Sequence, residues 1–278
     1  MSEAIRVLSP GPLTLVQDAG RRGHAHLGVP RGGAFDVRSW RLANRLVGNP
    51  EQAAGLESLG GGLAWSCLRH LTIAVTGAVG NVSVDGRNVS TNTPVHVSPG
   101  QQVSLGPPLI GLRYYVAFAG GIDVRPVLGS RSFDTLGRIG PPPVAGGQVL
   151  NIGSHPRGHP LVDHVPVRPP STSFAVLPGP DGDEVALADL TGRPWELDPQ
   201  SDRIGVRLAG DPLTAAATEL PSKPMVQGSV QLPPNGLPII LGPDHPTTGG
   251  YPVIAVVTAE SMCDVAQWSG GPRTFRRA

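Results

Sequence analysis

The chain has 278 residues, 22 of them basic and 21 acidic, and its formal charge is +1 with both signs scattered along its length. That balance leaves no electrostatic footprint for nucleic acid or an anionic membrane, so neither is expected as a partner. Gly 38 and Pro 31 together make about a quarter of the residues, but they punctuate runs rich in Val, Ile and Leu and read as turns between strands rather than as disorder.

The first residues, MSEAIRVLSPG, lack the apolar stretch of a secretory leader, and no apolar run approaches the roughly 18 residues of a membrane span. A cytoplasmic protein is expected. The run LTLVQDAGRRGHAHLGVPRGGAFD then sets Gln17, Asp18, Arg21 and Arg22 between glycines. Glycines let backbone approach a ligand closely, while an amide, a carboxylate and a guanidinium can orient a carboxylate or carbonyl; a salt-bridged turn uses the same residues. His24-x-His26 places two imidazoles on one side of an extended segment. No carboxylate or cysteine completes a metal site there, and none is assigned.

Asp36 can cap a helix carrying Trp40, Ala43 and Leu46/Val47 on one face and ended by Gly48. Next, Asn49-Pro50-Glu51-Gln52 reads as N-cap, N1 proline and capping-box glutamine, so a second helix is expected. Strand-like stretches follow at Leu71–Gly77, Asn81–Val89, Gln102–Gly106, Tyr114–Gly120, Ser173–Pro178, Arg203–Leu208, Val226–Pro233, Pro238–Leu241 and Tyr251–Thr258. Asp85-Gly86 and Asn235-Gly236 both carry the composition of a type I′ hairpin turn. A last helix is expected over Ala259–Trp268, stopped by Gly270-Gly271.

Patterning is weakest between Gly153 and Thr172, a stretch with His155, His159 and His164 among prolines, and the lobe boundary is placed there: residues 1–160 form one lobe and 161–278 the other. Cys67 and Cys263 are far apart and fit buried thiols in a reducing compartment. Lys223 is the only lysine, and its neighbours rule out a P-loop; Gly60-Gly61-Gly62 lacks the flanking elements of a dinucleotide fingerprint. Two further segments concentrate polar groups. GGIDVRPVLGSRSFD carries Arg131 and Asp134 at a strand end. DHPTTGGYP offers the hydroxyls of Thr247 and Thr248, the N–H groups of Gly249 and Gly250 and the Tyr251 phenol, a set that can build an anion-binding nest or simply an irregular turn.

The collinear segments VQDAGRRGHAHLGVPRGGAFD, LANRLVGNPEQAAGLE, VTGA, AGGIDVRPVLGSRSFD, SDRIGVRL, GSVQLPPNGLPIIL and TTGGYPVIAVV resemble the family of allophanate hydrolase subunit 2, also called KipA or the C subunit of 5-oxoprolinase, from about Leu13 to Phe275. The resemblance implies a mainly β protein of two cyclophilin-like β-barrel lobes with a few short helices. It implies pairing with an allophanate hydrolase subunit 1 or KipI-like partner and, in one branch, a third polypeptide of LamB/YcsF type, the complex opening 5-oxoproline to glutamate with ATP. Another branch uses this region as the carboxyltransferase of a biotin-dependent urea carboxylase, and some relatives bind a kinase inhibitor without catalysis. The pattern departs at two places: Ser222-Lys223-Pro224 stands where relatives show a glutamate, and Pro246 where they show a glutamine.

A lactam carbonyl is a poor electrophile, and phosphorylating its oxygen creates both a leaving group and negative charge to be stabilised. Arg21, Arg131, Thr247 and Thr248 are the donors chosen for that charge; Asp18 is the candidate proton acceptor or the residue orienting Arg21; Gln17 and Gln227 would read a carbonyl or amide. ATP is expected at the level of the complex. Biotin, if used, rides on another chain, because the Ser-Lys-Pro-Met context of Lys223 is not that of a biotinyl lysine. The early and late glycine-bearing loops are expected to serve one cleft.

Overall fold

The computed structural model describes residues 2–154, 163–214 and 220–278. The chain divides into two compact units. The first comprises Met1–Arg21, Asp36–Phe133 and Arg138–Pro169, and the second Arg22–Phe35, Asp134–Gly137 and Pro170–Ala278. Each is built on its own curled half-barrel sheet.

In the first unit, β1 (Ser2–Pro10), β2 (Leu13–Gln17), β3 (Gly55–Leu59), β4 (Leu63–Cys67), β5 (Leu71–Val84), β6 (Arg87–Val89), β7 (Pro94–Val97), β8 (Gln102–Phe118) and β9 (Val149–Ile152) form one sheet. Its main path runs β2-β3-β8-β4-β1-β9, with β5 pairing β6, β7 and β8. The inward faces meet in a core of Ile5, Val7, Leu63, Trp65, Ile73, Val103 and Phe118, with Trp65 and Phe118 edge to face at 5.6 Å. Two strands are longer than expected. β5 and β8 continue past Gly77 and Gly106, where strand ends are expected, because the pairing shifts register between Gly77/Val79, Val79/Gly80 and Gly80/Val82 instead of ending. The turn after β5 is as expected: Asp85 and Gly86 have φ of 49° and 77°, so both central residues are left-handed.

Helix α1 (Val37–Leu46) starts where Asp36 accepts the Ser39 N–H at 3.0 Å, and buries Trp40, Ala43 and Leu46. The second helix expected after Asn49 is absent, and β3 takes its place. The Asn49 side chain, instead of capping the residues that follow, donates to Asn44 Oδ1 and the Phe118 carbonyl and accepts the Gly120 N–H. Residues 50–53 make only a turn, Ala53 N–H to Pro50 carbonyl, before Gly55-Leu56-Glu57-Ser58-Leu59 joins the sheet between β2 and β8.

In the second unit, β10 (Ser173–Pro178), β11 (Glu196–Leu197), β12 (Gly205–Ala209), β14 (Ser229–Gln231), β15 (Ile239–Leu241), β17 (Val253–Val257) and β18 (Thr274–Arg277) form a sheet ordered β11-β12-β15-β14-β17-β10-β18. A separate ribbon pairs β13 (Lys223–Pro224) with β16 (Thr248–Gly249). Helix α2 (Glu184–Thr191), which the glycine- and proline-rich sequence around it concealed, is capped by Asp183, whose carboxylate accepts the Ala186 N–H at 2.7 Å. Helix α3 (Ala259–Val265) is shorter than expected. Gln267 and Trp268 close its end with bonds to the carbonyls three residues back, and Trp268 packs edge to face on Phe174 at 5.6 Å. Strands β14 and β15 do form a hairpin, but of the Asn235-Gly236 pair only Gly236 has a positive φ. The Asn235 carboxamide accepts the Leu237 N–H, making a local turn in place of a type I′ one.

Candidate functional site

In the first unit the polar centre lies where β2 ends. The Phe133 segment docks there, because the Phe133 N–H reaches the Val16 carbonyl at 3.0 Å and the fully buried Gln17 side chain donates to the Phe133 carbonyl at 2.8 Å. The other side-chain atom of Gln17, its Oε1, is buried without a hydrogen-bond partner. Asp18 then gathers four donors: the Ser130 and Ser132 hydroxyls and the Arg131 N–H, each at 2.6 Å, and the Gly20 N–H at 2.8 Å. Its own N–H donates to Ser132 Oγ at 2.8 Å. A carboxylate with so many donors is a structural tie that fixes the Ser130–Ser132 turn against the start of the loop.

That turn in turn places two arginines. Arg21 is buried, and its guanidinium donates to the Ser132 carbonyl. Gly140 makes the close approach possible: with φ of 109°, a Cβ added there would sit 2.1 Å from the Ser132 carbonyl oxygen. Arg131 lies nearer solvent, 40% exposed at its side chain, with Nε on the Val124 carbonyl at 2.9 Å and Nη2 at 3.7 Å from Asp123. The sequence singled out Gln17, Asp18, Arg21 and Arg131, and the structure brings all four into this cluster. Ser130 and Ser132, which hold Asp18, were not singled out; the alternation of two small hydroxyls around Arg131 was their only signal.

A second buried network in the same unit anchors α1. Tyr115 donates to Glu57 at 2.9 Å and accepts the Asp36 N–H at 2.8 Å, while Arg113 lies 3.7 Å from Glu57. Burial first, then the charges of Glu57 and Asp36, push the phenol well above its ordinary range.

In the second unit the centre is the segment Asp244–Pro252. Asp244 is fully buried and paired with Arg203, Nε at 2.9 Å and Nη2 at 3.1 Å, and it also accepts the Thr135 N–H and hydroxyl at 3.0 and 2.8 Å. Arg203 Nη2 also donates to the Gly33 carbonyl at 2.6 Å. His245 is buried with Nδ1 at 2.8 Å from the Pro246 carbonyl, a contact that requires the proton on Nδ1. Desolvation by burial holds its pKa below the ordinary 6.5, although the Pro246 carbonyl, Asp244 and Asp134 oppose the shift. Past this anchor the chain opens outward: Thr247, Gly249 and Gly250 are half-buried, Thr248 and Tyr251 exposed.

Backbone contacts fix that open stretch. Lys223 and Pro224 pair with Gly249 and Thr248, the Met225 N–H reaches the Thr247 carbonyl at 2.9 Å, and the Leu220 N–H reaches the Gly250 carbonyl at 3.2 Å. Gln227, half-buried, follows two residues after Met225. Thr247, Thr248, Gly249, Gly250 and Tyr251 therefore form one presented edge. Arg203 lay within a segment read only as strand, and no short motif marks it as the partner of an aspartate 41 positions later.

Among the described residues no group of three or more His, Cys, Asp or Glu side chains could hold a metal. His24 and His26 flank or enter a short 3-10 turn at Ala25–Leu27, and His164 Nδ1 lies 3.1 Å from the Thr93 hydroxyl. His155 and His159 lie outside the described residues. Both cysteines are free and buried, and burial pushes the Cys67 thiol up to about 11. Among the described residues no helix is long and apolar enough to cross a membrane.

The chain is of carboxyltransferase type: it belongs to the family described as the carboxyltransferase domain, subdomains A and B, which matches residues 27–276. It is 37% identical over 270 residues to the C subunit of Escherichia coli 5-oxoprolinase, spanning 95% of this chain and 87% of that protein. The crystal structure of TTHA0988 superposes with a TM-score of 0.92 at 35% identity, over 99% of this chain and 56% of the other. The Kluyveromyces lactis urea carboxylase gives 0.92 at 28% identity, over 100% of this chain but 28% of that enzyme. The chain thus spans about half the length of one solved relative and about a quarter of the other.

Proposed function

We propose that this chain belongs to an ATP-dependent 5-oxoprolinase complex that opens 5-oxoproline to glutamate. The observation that carries the reading is its match to nearly the whole of a separate polypeptide, the C subunit of E. coli 5-oxoprolinase, at 87% of that protein's length. Matching that much of a protein named as one subunit of 5-oxoprolinase favours this reading over the urea amidolyases, of which the chain matches 16%.

The chemistry of the two centres suits that reaction. Activating a lactam carbonyl through its oxygen builds negative charge that cationic and N–H donors must stabilise in place. Arg131 supplies a guanidinium from a turn that Asp18 holds and Arg21 supplies one bonded to the Ser132 carbonyl of that turn, so Asp18 serves as the positioning residue rather than as the proton acceptor. Thr247, Thr248, Gly249, Gly250 and Tyr251 supply hydroxyl and N–H donors on an edge partly open to solvent, and Gln17 and Gln227 supply amides for a carbonyl or lactam N–H. ATP is consumed by the complex, whose other members are an allophanate hydrolase subunit 1 or KipI-like chain and a LamB/YcsF-type chain, in the cytoplasm. Purifying the chain with those partners and measuring 5-oxoproline-dependent ADP release tests the reading; no release, from partners that are active when the E. coli homologue replaces this chain, removes it.

A second reading, the carboxyltransferase of a biotin-dependent urea-type carboxylase, is favoured by the superposition on the K. lactis urea carboxylase over 100% of this chain. It requires biotin outside these 278 residues, since the Ser-Lys-Pro-Met context of their one lysine is not that of a biotinyl lysine. Avidin capture of the assembled complex, with urea-dependent rather than 5-oxoproline-dependent ATP turnover, would select it. Tight partner binding with neither activity would select a regulatory role.

A further inference from the structure

The only lysine of the chain sits on the short ribbon that carries the Thr247–Tyr251 edge. Lys223 is half-buried, and its ammonium forms an ion pair with Asp181, a residue of the loop between β10 and α2. The same Asp181 oxygen accepts the Val253 N–H at 2.8 Å, and the Asp181 N–H donates to the Val253 carbonyl at 3.1 Å. One carboxylate therefore grips both sides of the edge: through Lys223 it holds the strand paired to Thr248 and Gly249, and through Val253 it holds the chain as it leaves the edge for β17.

The ribbon needs such a clamp. It has two residues per strand and is not part of the seven-stranded sheet. An isolated two-stranded ribbon is marginal in water, and the bonds from Met225 to Thr247 and from Leu220 to Gly250 add only two backbone contacts to it. Burial raises the Asp181 carboxyl, but the Lys223 and Val253 donors outweigh it and leave the pKa below the ordinary 3.8, so the clamp is ionised at neutral pH.

We propose that Lys223 and Asp181 are positioning residues, an ionic latch that fixes the Thr247–Tyr251 edge in the conformation that meets the substrate. The substrate part of this inference rests on the function proposed above; the latch does not. Lys223 holds the edge through the pairing of its strand with Gly249, so its effect is on conformation and not on chemistry.

Two readouts test it in the full-length chain, first alone and then in the complex. In Lys223→Met, hydrogen exchange at the Leu220, Met225 and Val253 amides is expected to quicken about tenfold through local opening, with Val230 and Ala255 of the main sheet unchanged. In the complex the KM for 5-oxoproline is expected to rise about tenfold with kcat held within about twofold, the pattern of lost ground-state positioning. Lys223→Arg should restore both. Wild-type exchange at the three amides in Lys223→Met, or equal acceleration at Val230 and Ala255, overturns the latch. An unchanged KM beside accelerated exchange overturns its role toward substrate. A wild-type complex inactive on 5-oxoproline overturns the proposed function, and the exchange readout then decides the latch by itself.

Discussion

Substituting Arg203 by methionine is the most informative perturbation of the second unit, because it strands a carboxylate in a place without water. Asp244 is fully buried and its two oxygens are satisfied by Arg203 Nε and Nη2 together with the Thr135 N–H and hydroxyl. Arg203→Met removes both guanidinium bonds and the counter-charge they carry, leaving Asp244 the two neutral donors of Thr135. Removing one partner of a buried ion pair costs roughly 3–5 kcal/mol, because the remaining charge must be desolvated without compensation. Against an ordinary domain stability of about 5–15 kcal/mol this is a large share.

Urea unfolding followed through Trp195 and Trp268, both buried in the core of this unit, reads it directly. With a slope of roughly 2 kcal/mol per molar urea, the midpoint of the second unit should fall by about 2 M. The double variant Arg203→Met/Asp244→Leu should recover much of that loss, since replacing both charges by apolar groups removes the stranded carboxylate and leaves chiefly the Thr135 donors to satisfy. A single variant that shifts the midpoint by less than about 0.5 M, or a double variant no better than the single, would refute the reasoning.

Other consequences follow from the first unit and from the titrating groups. Asp18→Ala orphans the donors of Ser130, Arg131, Ser132 and Gly20 and should cost roughly 3–5 kcal/mol in the first unit's unfolding transition, whereas Ser130→Ala should cost only about 1–2 kcal/mol. Gly140→Ala drives a Cβ to 2.1 Å from the Ser132 oxygen at a φ of 109°, so it should both destabilise the unit and lower activity of the complex by displacing the carbonyl that holds Arg21; unchanged kinetics would contradict the placement of Arg21. His245 is held below its unfolded pKa of 6.5, so the unfolded chain binds its proton first. Its part of stability is full above 6.5 and falls as the pH drops from there toward the folded value, and a His245→Asn variant should flatten that portion of the midpoint-versus-pH curve. The Cys67 thiol, raised to about 11 by burial, should react with a disulfide reagent at neutral pH orders of magnitude more slowly in the native chain than in urea.

Much of this architecture was legible because local rules and tertiary packing agree. The Asp85-Gly86 turn, strand β10 and the Asp36-capped helix each follow from short stretches whose turn chemistry and period point one way. Asn49 shows the opposite case. Its sequence context fits a helix N-cap, but a side chain able to bond the Phe118 carbonyl and the Gly120 N–H across the unit gains more there, and the residues after it go into the sheet. Glycines inside the long β5 and β8 read as strand ends, although they mark register shifts within one continuous pairing.

At the candidate site the polar residues themselves were legible and their partners were not. Asp18, Arg21 and Arg131 stand out beside glycines, yet nothing local tells that Asp18 is tied by serines 112 and 114 positions away, or that Arg203 answers Asp244. Lys223 stood out as the single lysine, but its grip on Asp181 depends on a two-residue ribbon too short to carry a pattern.

Formation of labelled glutamate from labelled 5-oxoproline, with ATP and the partner polypeptides of an active 5-oxoprolinase, addresses the function most directly when this chain replaces its E. coli homologue in the mixture. Under the proposed function, glutamate appears with the chain and not without it. Partners that make glutamate with the E. coli homologue but none with this chain, at concentrations where it is bound to them, would contradict it.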